Sequence, residues 1–196
     1  MARIPPLPPG EWPKEMGAAI GALRPPAPRH PFPRPDADRP KGLNALGVFA
    51  HHPALTHAYN TFNGHILFAS TLSPRQRELV VLRVAALRNS DYEWAQHALM
   101  ANEAGVSDDE IAAIRRDPEG REWEPLDGAL LRATDELVAS ANVSDETWAA
   151  LAQELDTQQL IDLIFTVGAY ETVAMAFNTF GVELDEDLRR KSGSHF

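Results

Sequence analysis

Apolar positions recur in three- and four-residue steps along most of the chain. Leu55, Ala58, Tyr59, Phe62, Ile66 and Ala69 form one such series behind Pro53, which predicts an amphipathic helix of about four turns. Ser73, Pro74 and Gln76 then read as a capped helix start. The run Leu79, Val80, Val81, Leu82, Val84, Ala85, Ala86, Leu87 is apolar on nearly every side, so this helix is expected to be buried on more than one face. Asn89-Ser90-Asp91 interrupts it, and either Ser90 or Asp91 can cap the next helix. That helix runs through Trp94, Ala95, Ala98, Leu99 and Ala101, with Gly105 at the position of a C′ glycine. Ser107 to Glu110 forms a second capping box ahead of Ile111 and Ile114.

Further helices are predicted over Leu126 to Ala139, from Ser144 through Trp148 and Leu151, and from Thr157 through Leu160, Ile161, Leu163, Ile164 and Val167. Gly168 is expected to give a break or a close contact before a last helix from Tyr170 to Phe180, which Gly181 ends. The fold class is therefore all-α, with about eight helices, no convincing strand and a polar tail after Leu188. A faint repeat runs through it: LSPRQRELVVLRVA followed by DYEWAQHALMAN compares with LDTQQLIDLIFTVGAYETVAMAFN. It predicts two related helical hairpins.

The first 40 residues break the pattern. They hold 12 of the 16 prolines, each lacking a donor and restricting its predecessor. Only Glu11 to Leu23 can form a helix there. Two readings remain, a disordered tail or an arm packed over its own domain or a neighbouring subunit; Ile4, Leu7, Trp12 and Phe32 give an arm something to bury. The division expected is an arm over residues 1–42 and a helical domain over 43–196.

Composition removes several functions. A net charge of −10 argues against nucleic acid or an anionic membrane as partner. The absence of cysteine excludes disulfides, thiolate metal sites and thiol chemistry. No uninterrupted run of 18 apolar residues and no signal-type apolar segment is visible, so a cytoplasmic location is expected.

Glu93 and His97 lie four residues apart, hence on one helix face. A carboxylate there can orient an imidazole and fix its tautomer, as general acid–base catalysis needs. Taken alone the pair also fits a solvated surface contact. Tyr92 and Trp94 flank it, and Glu78 stands near the start of the preceding buried helix. A buried carboxylate needs a partner, and His97 or Arg83 can supply one; in an exposed first turn Glu78 would simply complement the helix dipole. His51, His52, His57 and His65 cluster in sequence, but no ligand set completes a metal site. No phosphate-binding glycine loop, nucleophile elbow or dinucleotide signature is present.

The run from Leu72 to Leu79, then Leu82-Arg83-Val84-Ala85 and Tyr92-Glu93-Trp94-Ala95-Gln96-His97, resembles the carboxymuconolactone decarboxylase family. Gly105 to Ile111 and the late Tyr170-Glu171 with Asn178 to Leu184 are similar too. The resemblance covers roughly residues 43–188. It implies an alkylhydroperoxidase D-like helical bundle that assembles into trimers or hexamers, with sites near subunit contacts. The family's thiol-peroxidase branch carries a CxxC pair seven and four residues before the motif histidine. Ser90 and Glu93 occupy those places here, so the resemblance points to the decarboxylase-like branch, which uses no metal or organic cofactor. It implies a lyase-like enzyme for a small carboxylated lactone or enone, with His97, Glu93 and Glu78 catalytic and Tyr92, Arg83, Trp94 and Asn178 contacting substrate. An isomerase, cyclase or hydrolase on the same acid–base pair, or a binding protein that lost the chemistry, are the alternatives.

Overall fold

The computed structural model describes residues 2–32, 40–116, 118 and 120–192. A 3₁₀ turn at Pro9–Glu11 precedes ten α-helices: α1 (Met16–Gly21), α2 (Leu43–Phe49), α3 (Pro53–Gly64), α4 (Pro74–Leu87), α5 (Asp91–Glu103), α6 (Asp108–Arg116), α7 (Pro125–Ser140), α8 (Asp145–Glu154), α9 (Thr157–Phe180) and α10 (Glu186–Ser192). A π-helical turn, His65–Ala69, follows α3. No strand occurs among the described residues.

The helix α4 is the centre. Its capping box forms as expected, with Gln76 N–H donating to Ser73 Oγ and Ser73 N–H to the Gln76 side chain. One side, Val80, Val81 and Val84, packs against Leu130 and Ala133 of α7 and Leu163, Val167 and Tyr170 of α9. The other, Leu79 and Leu82, meets Trp94, Ala98 and Ala101 of α5 and Ile111 and Ile114 of α6. All five of those α4 residues are fully buried, which is why the run is apolar all round. Two arginines tie α4 to its neighbours. Arg75 donates to Glu110 and Asp127, and Arg83 to Asp135 and the Ile114 carbonyl.

The C-terminal half departs from expectation. Residues 157–180 form one continuous helix, and nothing lies within 4 Å of a side chain built at Gly168. Gly168 is therefore neither a break nor a close contact, and the second hairpin does not exist; a single exposed glycine weakens a helix by about 1 kcal/mol, too little to interrupt 24 residues packed on α4 and α7. The polar tail is instead α10, anchored by fully buried Leu188. By length and composition α9 is the one helix among the described residues apolar enough to cross a membrane, with mean hydropathy 1.5. Here it is a core helix carrying buried Asp162, although Ile161, Ile164, Phe165 and Met175 face outward.

Where described, the proline-rich arm packs on its own domain. The Arg3 and Ile4 amides donate to the Phe180 carbonyl, Leu7 N–H to Gly47 O, and Arg29 and His30 N–H to Phe68 O. Residues 33–39 lie outside the described residues. α1 sits on α3, where Asn60 Nδ2 donates to the Ala19 carbonyl over 2.9 Å. The approach is close enough to require glycine: a Cβ at Gly64 would stand 2.6 Å from the Leu23 carbonyl oxygen, and one at Gly47 2.5 Å from that of Leu7.

Candidate active site

The α4–α5 hairpin turns at Asn89, whose positive φ of 49° suits the left-handed tolerance of asparagine. It lays the first turn of α5 alongside α4, so that Glu78 and His97, nineteen residues apart, meet. His97 Nδ1 donates to Glu78 Oε2 over 2.7 Å. Arg77 Nε and Nη2 donate to the other oxygen at 2.9 and 2.8 Å, and Arg77 Nη1 donates to the Leu67 carbonyl. Glu78 is wholly buried and Arg77 nearly so. Burial pushes the Glu78 carboxyl pKa up, but the charges and hydrogen bonds of His97 and Arg77 outweigh it and hold the group below its ordinary value. An ionised carboxylate only accepts, so the proton of neutral His97 sits on Nδ1, and Nε2 is left as the basic nitrogen. The Tyr170 ring packs edge-on to the imidazole with centroids 4.8 Å apart, fixing its plane.

His97 lines a cavity of about 310 Å³, at the small end of ligand-sized pockets. α3 contributes Tyr59 and Asn63, α5 Tyr92, Glu93, Gln96 and His97, and α9 Tyr170, Val173 and Phe177. Ile20 and Leu23, in and just after α1, belong to the wall as well, so the arm closes part of it. Glu93 is buried, and neither carboxylate oxygen has a hydrogen-bond partner. Burial drives its pKa well above the ordinary value; the nearby Ser90 hydroxyl opposes this without reaching hydrogen-bond geometry, and the Glu171 charge adds to it. Glu93 therefore holds its proton more tightly than an exposed glutamate does. Burial likewise raises the Tyr59 and Tyr170 phenols, so both stay protonated.

The candidate residues separate. Glu78, His97 and Glu93 converge, but Glu78, not Glu93, holds the imidazole, and the salt-bridge partners of Glu78 are His97 and Arg77 rather than Arg83. Tyr92 lines the cavity with its hydroxyl committed, donating to Asp185 Oδ2 over 2.6 Å. Arg83, Trp94 and Asn178, expected to contact substrate, are not among the residues that line this cavity. Arg83 spans to α7. Trp94 is core, with the Arg115 guanidinium 4.9 Å over its ring. Asn178 is exposed and donates to the Arg88 carbonyl. Arg77, Tyr59 and Tyr170 were given no role from the sequence. Tyr59 stood in the amphipathic series as a mere apolar position, and nothing in the spacing marks its hydroxyl. Among the described residues no group of His, Asp and Glu converges as a metal site.

The model of the carboxymuconolactone decarboxylase family matches residues 53–136, a span that holds α3 to α6, most of α7, and Glu78, Glu93 and His97. No curated protein matches the sequence. Solved structures share the fold at low identity. The debrominase Bmp8 aligns over 98% of this chain and 97% of its own, at 11% identity and a TM-score of 0.72. An uncharacterised peroxidase-related protein from Ralstonia eutropha with an alkylhydroperoxidase AhpD core covers 81% of this chain and 95% of its own, at 18% identity and 0.67. A protein of unknown function from Agrobacterium tumefaciens, described as a putative antioxidant defence protein AhpD, covers 70% and 94%, at 17% identity and 0.65.

Proposed function

We propose that this chain, whose residues 53–136 match the carboxymuconolactone decarboxylase family, is a cofactor-independent acid–base enzyme that moves a proton at a carbon next to a carbonyl. The observation that carries the reading is the Arg77–Glu78–His97 series. A buried, ionised carboxylate sets the imidazole tautomer and leaves the second ring nitrogen free on a side chain that lines a mostly apolar, partly open cavity. Such a nitrogen abstracts or returns a proton over a fixed path. A lyase reaction fits: when a lactone or enone acid loses CO₂, the C–C electron pair moves onto the conjugated carbonyl, and the protonated imidazole then delivers a proton to carbon. Isomerisation replaces the loss of CO₂ by proton abstraction at His97 Nε2 and shares the return of a proton to carbon. Thiol peroxidase chemistry has no residue here to perform it, since the chain contains no cysteine.

The test is turnover in D₂O with a panel of β,γ-unsaturated lactones and β-keto acids, followed by NMR for deuterium at carbon or loss of CO₂. His97→Gln is expected to lower the rate about 100-fold to 10,000-fold with the helical circular dichroism intact. Equal rates in both proteins remove the assignment.

We also infer a homo-oligomer. Ile161, Phe165 and Met175 are each more than half exposed on one helix, and Phe62 of α3 meets Phe165 edge-on, an exposed apolar cluster of the kind that marks an interaction surface. Sedimentation velocity is expected to give a trimer or larger, and a monomer overturns this.

A further inference from the structure

Five polar atoms of the cavity wall share one property. Tyr59 Oη, Asn63 Oδ1, both oxygens of Glu93 and Tyr170 Oη are buried without a hydrogen-bond partner, and all four residues line the same cavity. Buried polar groups are ordinarily paired. A deficit gathered from α3, α5 and α9 onto one wall marks where a ligand's polar atom sits. The groups are close enough that Tyr59 and Tyr170 each feel the charge Glu93 would carry. The rest of the wall is largely apolar, including Ile20, Leu46, Phe49, Val173 and Phe177. Lys41 is the only lysine or arginine among the described lining residues, and it is exposed. Arg77 is committed to Glu78 and the Leu67 carbonyl.

We propose that the cavity binds a small, largely apolar ketone, enone or lactone by its carbonyl oxygen, which the Tyr59 and Tyr170 phenols and the Glu93 carboxyl receive as hydrogen-bond donors. This rests on the proton-transfer reading and names its electron sink. When His97 Nε2 takes a proton from the carbon next to the carbonyl, the C–H pair forms the C=C bond and the carbonyl π pair moves to oxygen. The enolate oxygen then lies against three neutral donors. Return of the same proton from the imidazolium, to that carbon or to the γ carbon of an enone, closes the cycle with no other reactant. A phenol beside a carboxylic acid kept neutral by its apolar surroundings is a known way to stabilise an enolate without a metal or a cation. A carboxylate placed there would bring a full charge into a wall with no buried lysine or arginine free to meet it, so the oxygen received is a carbonyl's.

Three probes with one aromatic body test this on the full chain by equilibrium dialysis: 2-naphthol as the enolate-like oxygen, 2-naphthoate as the carboxylate, and naphthalene with no oxygen. 2-Naphthol is expected to bind at least about tenfold tighter than 2-naphthoate. Tyr59→Phe and Tyr170→Phe, near-isosteric changes, are each expected to weaken 2-naphthol about fivefold to tenfold and leave naphthalene unchanged. Tighter 2-naphthoate, no binding of 2-naphthol, or equal losses for naphthalene would each overturn the proposal, the last because the phenols would then only pack. Binding needs no turnover. A failed His97→Gln result therefore removes the proton-transfer reading while the probes still decide the oxygen site, and the converse holds.

Discussion

Glu78 on α4 and Glu93 on α5 are both buried within the same hairpin, each beside the same imidazole in sequence or in space. Their surroundings differ in one respect. Glu78 has three donors on its two oxygens, two of them from a buried guanidinium, and stays ionised. Glu93 has none, and burial drives its pKa up. Burial acts on both in the same direction, so it is the pairing that separates them. One carboxyl becomes the anchor that gives His97 its basic nitrogen, and the other becomes a neutral donor facing the cavity. Two carboxyl groups held in opposite protonation states by their environments are a common basis for acid–base chemistry near neutral pH.

The largest test of this contrast is Glu78→Ala. It leaves Arg77 buried with only the Leu67 carbonyl and releases His97. Breaking a buried ion pair from one side costs about 3–5 kcal/mol, so urea denaturation is expected to show a loss of that size together with loss of turnover. A loss under about 1 kcal/mol would mean the pair is not structural.

The smaller test is Glu93→Gln, which keeps the shape but cannot ionise. The folded pKa of Glu93 lies above its ordinary 4.5, so the folded state keeps a proton that the unfolded chain has lost. Wild-type stability therefore falls as pH rises from about that value toward the folded pKa, whereas the Glu78 contribution is fully present above 4.5 and is lost as pH falls below it. The groups facing Glu93 are Ser90 and His97 on its own hairpin, Tyr59 on α3, and Tyr170 and Glu171 on α9. The Gln variant is expected to match wild type near pH 4 and exceed it by on the order of 1 kcal/mol by neutral pH, read as the difference between two thermal-melt series. Parallel series would show that Glu93 is ionised after all.

Much of the fold was legible because its signals are local. The Ser73 capping box, the all-round apolar face of Leu79 to Leu87 and the stop at Gly105 each lie within one helix and its ends. Gly168 shows the limit of such signals, since its cost is smaller than what packing on α4 and α7 returns. The arm shows another: proline spacing excluded regular structure but said nothing of docking, which depends on Gly47 and Gly64 letting the Leu7 and Leu23 carbonyls approach.

By itself the sequence determined the all-α class, the α4–α5 hairpin, the exclusion of thiol chemistry and the candidates Glu78, Glu93 and His97, all matters of residue type and short spacing. The tertiary structure alone decided which carboxyl holds the imidazole and which stays protonated. It also decided that Arg83, Trp94 and Asn178 stand apart while Tyr59 and Tyr170 share the wall. Those outcomes depend on burial and on partners brought from helices far apart along the chain, and neither quantity is a property of spacing.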